Sequence, residues 1–422
     1  MPFAPRKLLL AVPLLIITQC SPGSDVDVTD TDASRLPELY VPVDSYDFGE
    51  NPKLLERIVA SPYQYFRFIN KRFARAMCET LEQALAGMPT VNLHGDPHIE
   101  QYSVTESGRG LTDFDDASTG PAALDIFRFG VSIQLAVEER GWFDEKSALV
   151  EEFLRGYRKA LEDPETTAPE PQIVARVRAS FDSDRRSLLA WADSLMTPEP
   201  VSELPGQVAI DLFSEVIHDE NPDLPPHYFD VVKAGRLRMG VGSALDQKYL
   251  ARVQGPTLES DDDVLVEIKE VRDLSGIDCI HRRAKDPFAI LAAQSRIAYT
   301  PYKFTGFIYL DPRRTGDHGL DSDFWDGSSF WVHTWVDHYW EVSINDLASP
   351  EELAEIVYDV GVQLGRGHPK AVASPHDFQL RKALLGVLDE YEPDIDRRLV
   401  ELTVGVNQGW QQFRAAAATA ER

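Results

Sequence analysis

An α+β fold is predicted by three features of this 422-residue chain. Apolar residues recur at helical spacing through the first half, short alternating runs take over from Arg236, and helical spacing returns near the end. The division is a helical lobe over 36–235, a sheet lobe over 236–345, and closing helices over 346–422 that complete the helical lobe.

Composition narrows the class. Charged residues are 26% of the chain, close to the globular average, which excludes wholesale disorder. The formal charge of −27 repels a phosphate backbone, so nucleic acid is excluded as a partner, as is docking on anionic lipid through a basic face. No CxxC occurs among the three cysteines, which excludes a thiolate zinc site. Cys78 and Cys279 fall in the folded part and are expected as buried free thiols, with a disulfide between them as the alternative.

The chain begins with Arg6 and Lys7 before an apolar run from Leu8 to Ile17, too short to span a bilayer. It fits the hydrophobic region of an export signal and ends at Cys20. That order resembles the lipobox of bacterial lipoproteins, although Gln19 stands where a small residue is usual. Residues 1–20 are therefore expected as a lipoprotein signal, with Cys20 acylated as a membrane anchor on the periplasmic or envelope side. Plain secretion and an uncleaved anchor are the alternatives. Residues 21–35, rich in Asp, Ser and Thr, are expected as a disordered tether.

Helices are predicted over 51–60 and 63–86, the second stopped by Gly87, Met88 and Pro89. A short apolar run, 90–93, leads into His94-Gly95-Asp96. Residues 101–105 and 110–114 alternate like a hairpin. Helices follow over 122–140, 144–161, 171–195 and 207–218. Strands are expected over 237–241, 248–253, 264–268, 304–310, 330–336 and 339–342, with a helix over 287–298. Trp331, Trp335, Tyr339 and Trp340 read as a strand pair packed on the core, or else as a stacking surface for a base or sugar. Ser349 with Glu352 reads as a capping box, with Pro350 at the first helical position. Helices over 381–391 and 394–416 close the chain.

Chemistry concentrates between His94 and Arg128. His94-Gly95-Asp96-Pro97-His98 and Asp113-Phe114-Asp115-Asp116 place carboxylates on loops at strand ends. Such oxygens suit a hard cation, Mg or Mn, that bridges phosphate oxygens. A separate Asp can accept a proton from an attacking hydroxyl. The second cluster is Gly240-Val241-Gly242-Ser243 followed by Lys269 late in an apolar strand. A glycine turn between strands lets backbone amides approach phosphates, and a strand lysine adds a point charge. For both clusters to serve one phosphate, segment 94–130 must lie against the sheet carrying Gly240 to Lys269. His98 reads as orienting the loop, and His368 as a further candidate.

HGDPHIEQYSV, LTDFDD and LDIFRFG resemble the catalytic segment of the kinase-like antibiotic and choline phosphotransferases. Closer still is the bacterial family called domain of unknown function 2252. Its hallmarks are similar to SPYQYFRF (61–68), HGDPHIEQY (94–102), LTDFDDASTGPAALDIFRF (111–129), MGVGSALDQKYL (239–250), VEIKE (266–270) and LGRGHPKA (364–371). The glycine turn and lysine here follow the catalytic segment, so the resemblance implies a circularly permuted protein-kinase-like fold. It implies Asp96 as base, with His98 beside it and Asp125 and Arg128 bracing the loop. Asp113 is implied as metal ligand with Asp115 and Gln101. Gly240, Gly242, Ser243 and Lys269 would hold phosphates of ATP or another nucleotide, and the helix over 287–298 would pack beside Lys269. Three positions depart from the pattern: Gln101 replaces an asparagine, Gln294 stands where a helix glutamate is expected, and Phe68 replaces a glycine. The implied activity is phosphoryl or nucleotidyl transfer on a small-molecule or phosphorylated ligand. A non-catalytic pseudokinase-like binding module and a metal-dependent phosphohydrolase on His94, Asp96, His98 and Asp113 are the alternatives.

Overall fold

The computed structural model describes residues 38–49, 51–181, 184–197, 205–237, 239–242, 246–282, 284–299, 302–309 and 329–420. The signal over 1–20 with Cys20, the tether over 21–35, and Ser243 lie outside them. The fold mixes helices with antiparallel sheets.

The N-terminal helices are α1 (Pro52–Ala60), α2 (Pro62–Phe68), α3 (Asn70–Thr80) and α4 (Glu82–Leu85). The Ser61 hydroxyl accepts from Gln64 N and Pro62 sits at the first position, so α2 starts on a capped end. The single helix expected over 63–86 is broken at Ile69 and Leu81, whose backbones leave the helical region. Tyr63, Tyr65, Phe66, Phe68 and Ile69 are all buried. One straight helix buries a single stripe, so the bend after Phe68 lets this aromatic run face inward.

Next come β1 (Thr90–Leu93), paired with β4 (Ser118–Pro121), and the hairpin β2 (Tyr102–Thr105) and β3 (Arg109–Leu111). The central helix α5 (Ala123–Arg140) is buried from Ala123 through Val137. Against it lie α6 (Lys146–Glu162) and α12 (His376–Ala420), and α11 (Pro350–Gly367) packs on α6. The α6–α11 contact is close because Gly361 has no side chain: a Cβ there would sit 2.2 Å from the Phe153 carbonyl oxygen. The capping box expected at Ser349 does not form, since Glu352 is taken by Arg176 and by the Ala348 amide. The reciprocal box is instead Ser343 with Asp346.

After α7 (Gln172–Ser180) the chain builds a six-stranded antiparallel sheet of β5 (Met196–Thr197), β6 (Val231–Leu237), β7 (Lys248–Val253), β8 (Val264–Glu270), β9 (Thr305–Tyr309) and β10 (Ser329–Thr334). The strand order is β5-β6-β7-β8-β10-β9. The strand expected over 237–241 is thus displaced: β6 ends at Leu237, and Gly240 adopts φ 95° in the turn that follows. The boundary set at 236 runs through β6. Helices α8 (Arg185–Leu195) and α9 (Pro205–Glu220) cover opposite faces of the sheet. Period-two alternation sorts the side chains. Tyr249, Ala251, Val266, Ile268, Phe330 and Val332 pack with Ile210 and Phe213 of α9. Leu250 and Leu265 pack with Leu189 and Ala192 of α8. Lys248, Glu267, Lys269, Trp331 and His333 share the parity of that second face.

The aromatic strand pair expected over 331–340 is not one unit. Trp331 is buried on β10, whereas Tyr339 and Trp340 lie on β11 (Tyr339–Glu341), which pairs with β2. The expectation of free thiols is also overturned: Cys78 and Cys279 form a disulfide across 201 residues. The segment after β8 turns back over α3, with the Lys71 ammonium on the Asp273 carbonyl and the His281 amide on Thr119 O. That path brings the two cysteines together. Among the described residues, no helix is long and apolar enough to cross a membrane.

Candidate functional site

The loop after β1 is shaped by a glycine that cannot be replaced. Gly95 has φ 89°, and a Cβ on it would lie 1.9 Å from the Asp116 carbonyl oxygen. The His94-Gly95-Asp96 and Asp113–Asp116 loops therefore touch backbone to backbone. Asp125, on the first turn of α5, accepts from His94 N at 2.7 Å and from Gly95 N at 3.0 Å. His368 holds Asp125 from behind, its Nε2 3.2 Å from Oδ2 and its Nδ1 2.8 Å from the Tyr157 hydroxyl. His368 so acts through Asp125, as a positioning residue for the loop.

Asp96 projects from this loop into a cleft of about 380 Å³. Arg128 donates to its Oδ1 at 2.8 Å and is itself braced by the Phe66 carbonyl and ring. A side chain at Gly242 would come 3.9 Å from Asp96 Oδ2, so the glycine turn lies over this carboxylate. Burial, with the charge of Asp116, lifts the Asp96 carboxyl to about 7 against the pull of Arg128.

The opposite wall is the sheet face. Lys269 Nζ lies 2.7 Å from Asp113 Oδ1 and 2.9 Å from Asp115 Oδ2. Loop 113–116 and strand β8 thus meet, 156 residues apart in sequence. Burial opposes a charge on Lys269, but Asp113, Asp115 and Glu267 outweigh it and hold the ammonium well above the usual lysine range. Burial likewise works against ionising Asp113, yet Lys269 keeps it well below the usual carboxylate range. Asp115 is lifted to about 7 by burial and by the charge of Asp113, and it also accepts from Trp331 Nε1 at 2.9 Å. One carboxylate of the pair, Asp113, is ionised, and the other, Asp115, titrates near neutrality. Asp113 has φ 59°, a left-handed backbone rare outside glycine, asparagine and aspartate.

Every sequence-predicted site residue among the described ones reaches this cleft or its support. Asp96, His98, Gln101, Asp113, Asp115, Gly240, Gly242 and Lys269 line it, and Arg128 stands behind Asp96. His98 is buried with Nδ1 unbonded, edge-on to Tyr63, and burial and then Arg67 push its pKa well below the usual range. It is a neutral wall residue. Gln101 turns its amide nitrogen to Asp113 at 3.3 Å, so as placed it donates to the carboxylate. The acidic company of Lys269 on the sheet is Glu267, 3.9 Å away on its own strand, and not the helix α10 (Pro287–Ile297), where Gln294 is buried. Burial opposes the Glu267 charge, but Lys269 holds its carboxyl down to about 2.

Sequence reasoning missed Arg57, Arg67, Lys248, Glu267, Arg272 and Glu341. Strand parity reveals two of them: Glu267 precedes Lys269 by two, and Lys248 stands opposite Lys269 across β7–β8. Arg272 bridges Asp246 and Asp116, each at 2.6 Å, tying the end of the glycine turn to the aspartate loop. An apolar shelf of Leu188, Leu237, Met239, Trp191 and Trp335 continues the cleft, with the two indole rings 6.1 Å apart.

Among the described residues, no three His, Cys, Asp or Glu side chains converge as a protein-only metal cage. Asp113 and Asp115 nonetheless fit an ion that takes one or two carboxylates and leaves its other positions to phosphate and water. Their oxygens already hold a cation, the Lys269 ammonium.

Residues 52–192 match the family described as an uncharacterized protein conserved in bacteria (DUF2252), which supports membership of that family. The matched stretch carries the motifs at 61–68, 94–102 and 111–129. No curated protein and no solved structure matches the chain.

Proposed function

We propose that this chain, with the DUF2252 family as its setting, binds a phosphorylated small molecule and transfers its phosphoryl or nucleotidyl group. The observation that carries the reading is the meeting of Asp96, Asp113 and Lys269 in one cleft, under a glycine turn. Phosphoryl transfer asks a protein for positioning and charge neutralisation, and these groups supply both. Asp96, titrating near neutrality, takes the proton of the attacking hydroxyl. Lys269 and the backbone around Gly240 and Gly242 hold phosphate oxygens. Asp113 and Asp115 would hold Mg or Mn, which when bound neutralises phosphate charge. The Trp191–Trp335 shelf suits the planar base of ATP or another nucleotide, since bases stack on aromatic rings for about 1–3 kcal/mol each. In this reading the fold is kinase-like and circularly permuted, with the catalytic loop preceding the glycine turn.

A pseudokinase-like binding module is the second reading, favoured by Gln101 presenting its amide nitrogen to Asp113. The phosphohydrolase alternative is disfavoured by His94, whose Nε2 faces the Thr112 carbonyl and whose Nδ1 accepts from Asp96 N. Thermal unfolding with Mg or Mn and with ATP tests the proposal. A ligand at a hundred times its dissociation constant stabilises by about 2.7 kcal/mol. The expected result is a metal-dependent nucleotide shift in the wild type. Asp96→Asn is expected to keep that shift and lose transfer to any acceptor. No shift with any nucleotide or metal would sink the proposal. A shift with no transfer in the wild type would select the binding module.

The same reading has the protein exported and anchored through a lipid on Cys20. The Cys78–Cys279 disulfide supports it, because such bonds persist in oxidising compartments. Cys20→Ser is expected to move the protein from the membrane fraction to the soluble one. Unchanged partitioning would count against acylation.

A further inference from the structure

Beside the main cleft opens a second cavity of about 360 Å³, and the two share Arg57, Arg67 and Glu341. Most charges on this common wall are already matched. Arg67 pairs with Glu100 at 2.5 Å, and Glu100 also accepts from the Ser343 hydroxyl and the Ile344 amide. Arg57 and Glu341 are left over. The Arg57 guanidinium donates to the Gly240 carbonyl at 2.9 Å, and the Glu341 carboxylate accepts from the Tyr339 hydroxyl at 3.0 Å. Among the described residues neither has an ion-pair partner, and they are not paired with each other. A positive and a negative group outside any ion pair therefore face the same space, and burial raises the Glu341 carboxyl above its ordinary value against the pull of Arg67.

We infer that this second cavity binds a small zwitterion of the amino-acid type, its carboxylate on Arg57 and its ammonium on Glu341. A planar guanidinium takes a carboxylate through two parallel bonds, and a carboxylate takes an ammonium at short range. Each half of the ligand alone is less well served. A simple anion approaches a protein of formal charge −27 against its field. A simple cation meets Arg57 beside Glu341. A zwitterion carries no net charge, answers both groups, and leaves the Arg67–Glu100 pair undisturbed. The site does not depend on the phosphate reading of the main cleft. If that reading holds, the shared wall puts the zwitterion next to the phosphate, as a second substrate or an effector.

The test is calorimetric titration of the full chain with L-serine, without nucleotide. Ethanolamine and glycerate serve as its amine-only and carboxylate-only halves. Saturable serine binding is expected, with each half binding at least about tenfold more weakly. Arg57→Gln and Glu341→Gln are each expected to weaken serine by about tenfold or more, with melting temperatures unchanged. Glycerate should then respond only to the first variant and ethanolamine only to the second. The inference is overturned by absent serine binding, by either variant binding serine as tightly as the wild type, or by ethanolamine binding as tightly as serine. Loss of the nucleotide shift with serine binding intact would remove the phosphate reading and leave this site standing.

Discussion

Replacing Lys269 with methionine is expected to remove about 3–5 kcal/mol of stability, the range for breaking a buried ion pair from one side. Methionine keeps the length and the contact with the Trp331 ring, whose centroid lies 5.2 Å from Nζ. It removes the only ammonium placed against both Asp113 and Asp115 among the described contacts. Three acidic side chains, Asp113, Asp115 and Glu267, then lose the cation they share, with Lys248 still acting on Glu267 and Arg272 on the two aspartates. The loss should depend on pH with a definite sign. In the wild type Asp113 and Glu267 are held below their unfolded values, so they stabilise above the ordinary carboxylate range and lose this effect as pH falls. In the variant burial and mutual repulsion raise all three, so the folded state binds the extra protons and stability falls as pH rises. The deficit should therefore be larger at pH 8 than at pH 5. Urea unfolding at both values measures it. A midpoint equal to wild type at pH 8 would mean that Lys269 is not the counter-ion of this wall.

What was legible in the sequence follows from the physics of each feature. The meeting of loop 94–116 with the strand carrying Lys269 was readable because a phosphate site needs carboxylates and a cation together, whatever their distance along the chain. Strand β7 was readable from its composition, and β8 over all but its last two residues. Period-two alternation puts Glu267 on the Lys269 face, whereas the kinase-like resemblance implies an acidic partner on a helix, and that implication hides Glu267. The disulfide had no local signal, since 201 residues separate its ends and only the path of segment 271–282 brings them together. Two closing helices are expected, over 381–391 and 394–416, but the fold makes one that runs through Pro393. Leu388, Ile395 and Leu399 are buried on either side of it, and α12 runs on as one helix. There tertiary packing outweighs the hydrogen bond that proline removes. Arg57 and Glu341 were invisible for a simpler reason. Their significance lies in what they fail to pair with, and that appears only when every neighbour is in place.

Asp113→Asn is expected to abolish metal-dependent ligand binding while leaving the fold nearly as stable as before. The backbone tolerates the change, because asparagine accepts the left-handed conformation at φ 59° about as well as aspartate does. The charge balance tolerates it as well. Asp115 sits near 7 partly because Asp113 is ionised beside it. Once Asp113 is neutral that repulsion is gone, Lys269 remains 2.9 Å from Asp115, and Asp115 should ionise in its place. The titration of Asp115, followed by carboxyl-carbon NMR, should therefore move from about 7 toward the ordinary carboxylate range. A single anion serves as counter-ion to the lysine, but it leaves no second full charge for a divalent ion, which is held mainly by anionic oxygens. A scaffold aspartate predicts the reverse, since losing a capping or pairing carboxylate costs about 0.5–2 kcal/mol without touching ligand binding. Melting temperature without metal, and its shift with Mg or Mn and ATP, separates the two in one variant. If Asp113→Asn melts several degrees lower and keeps the ligand shift, Asp113 is scaffold. If it melts with the wild type and the shift disappears, its carboxylate belongs to the ligand.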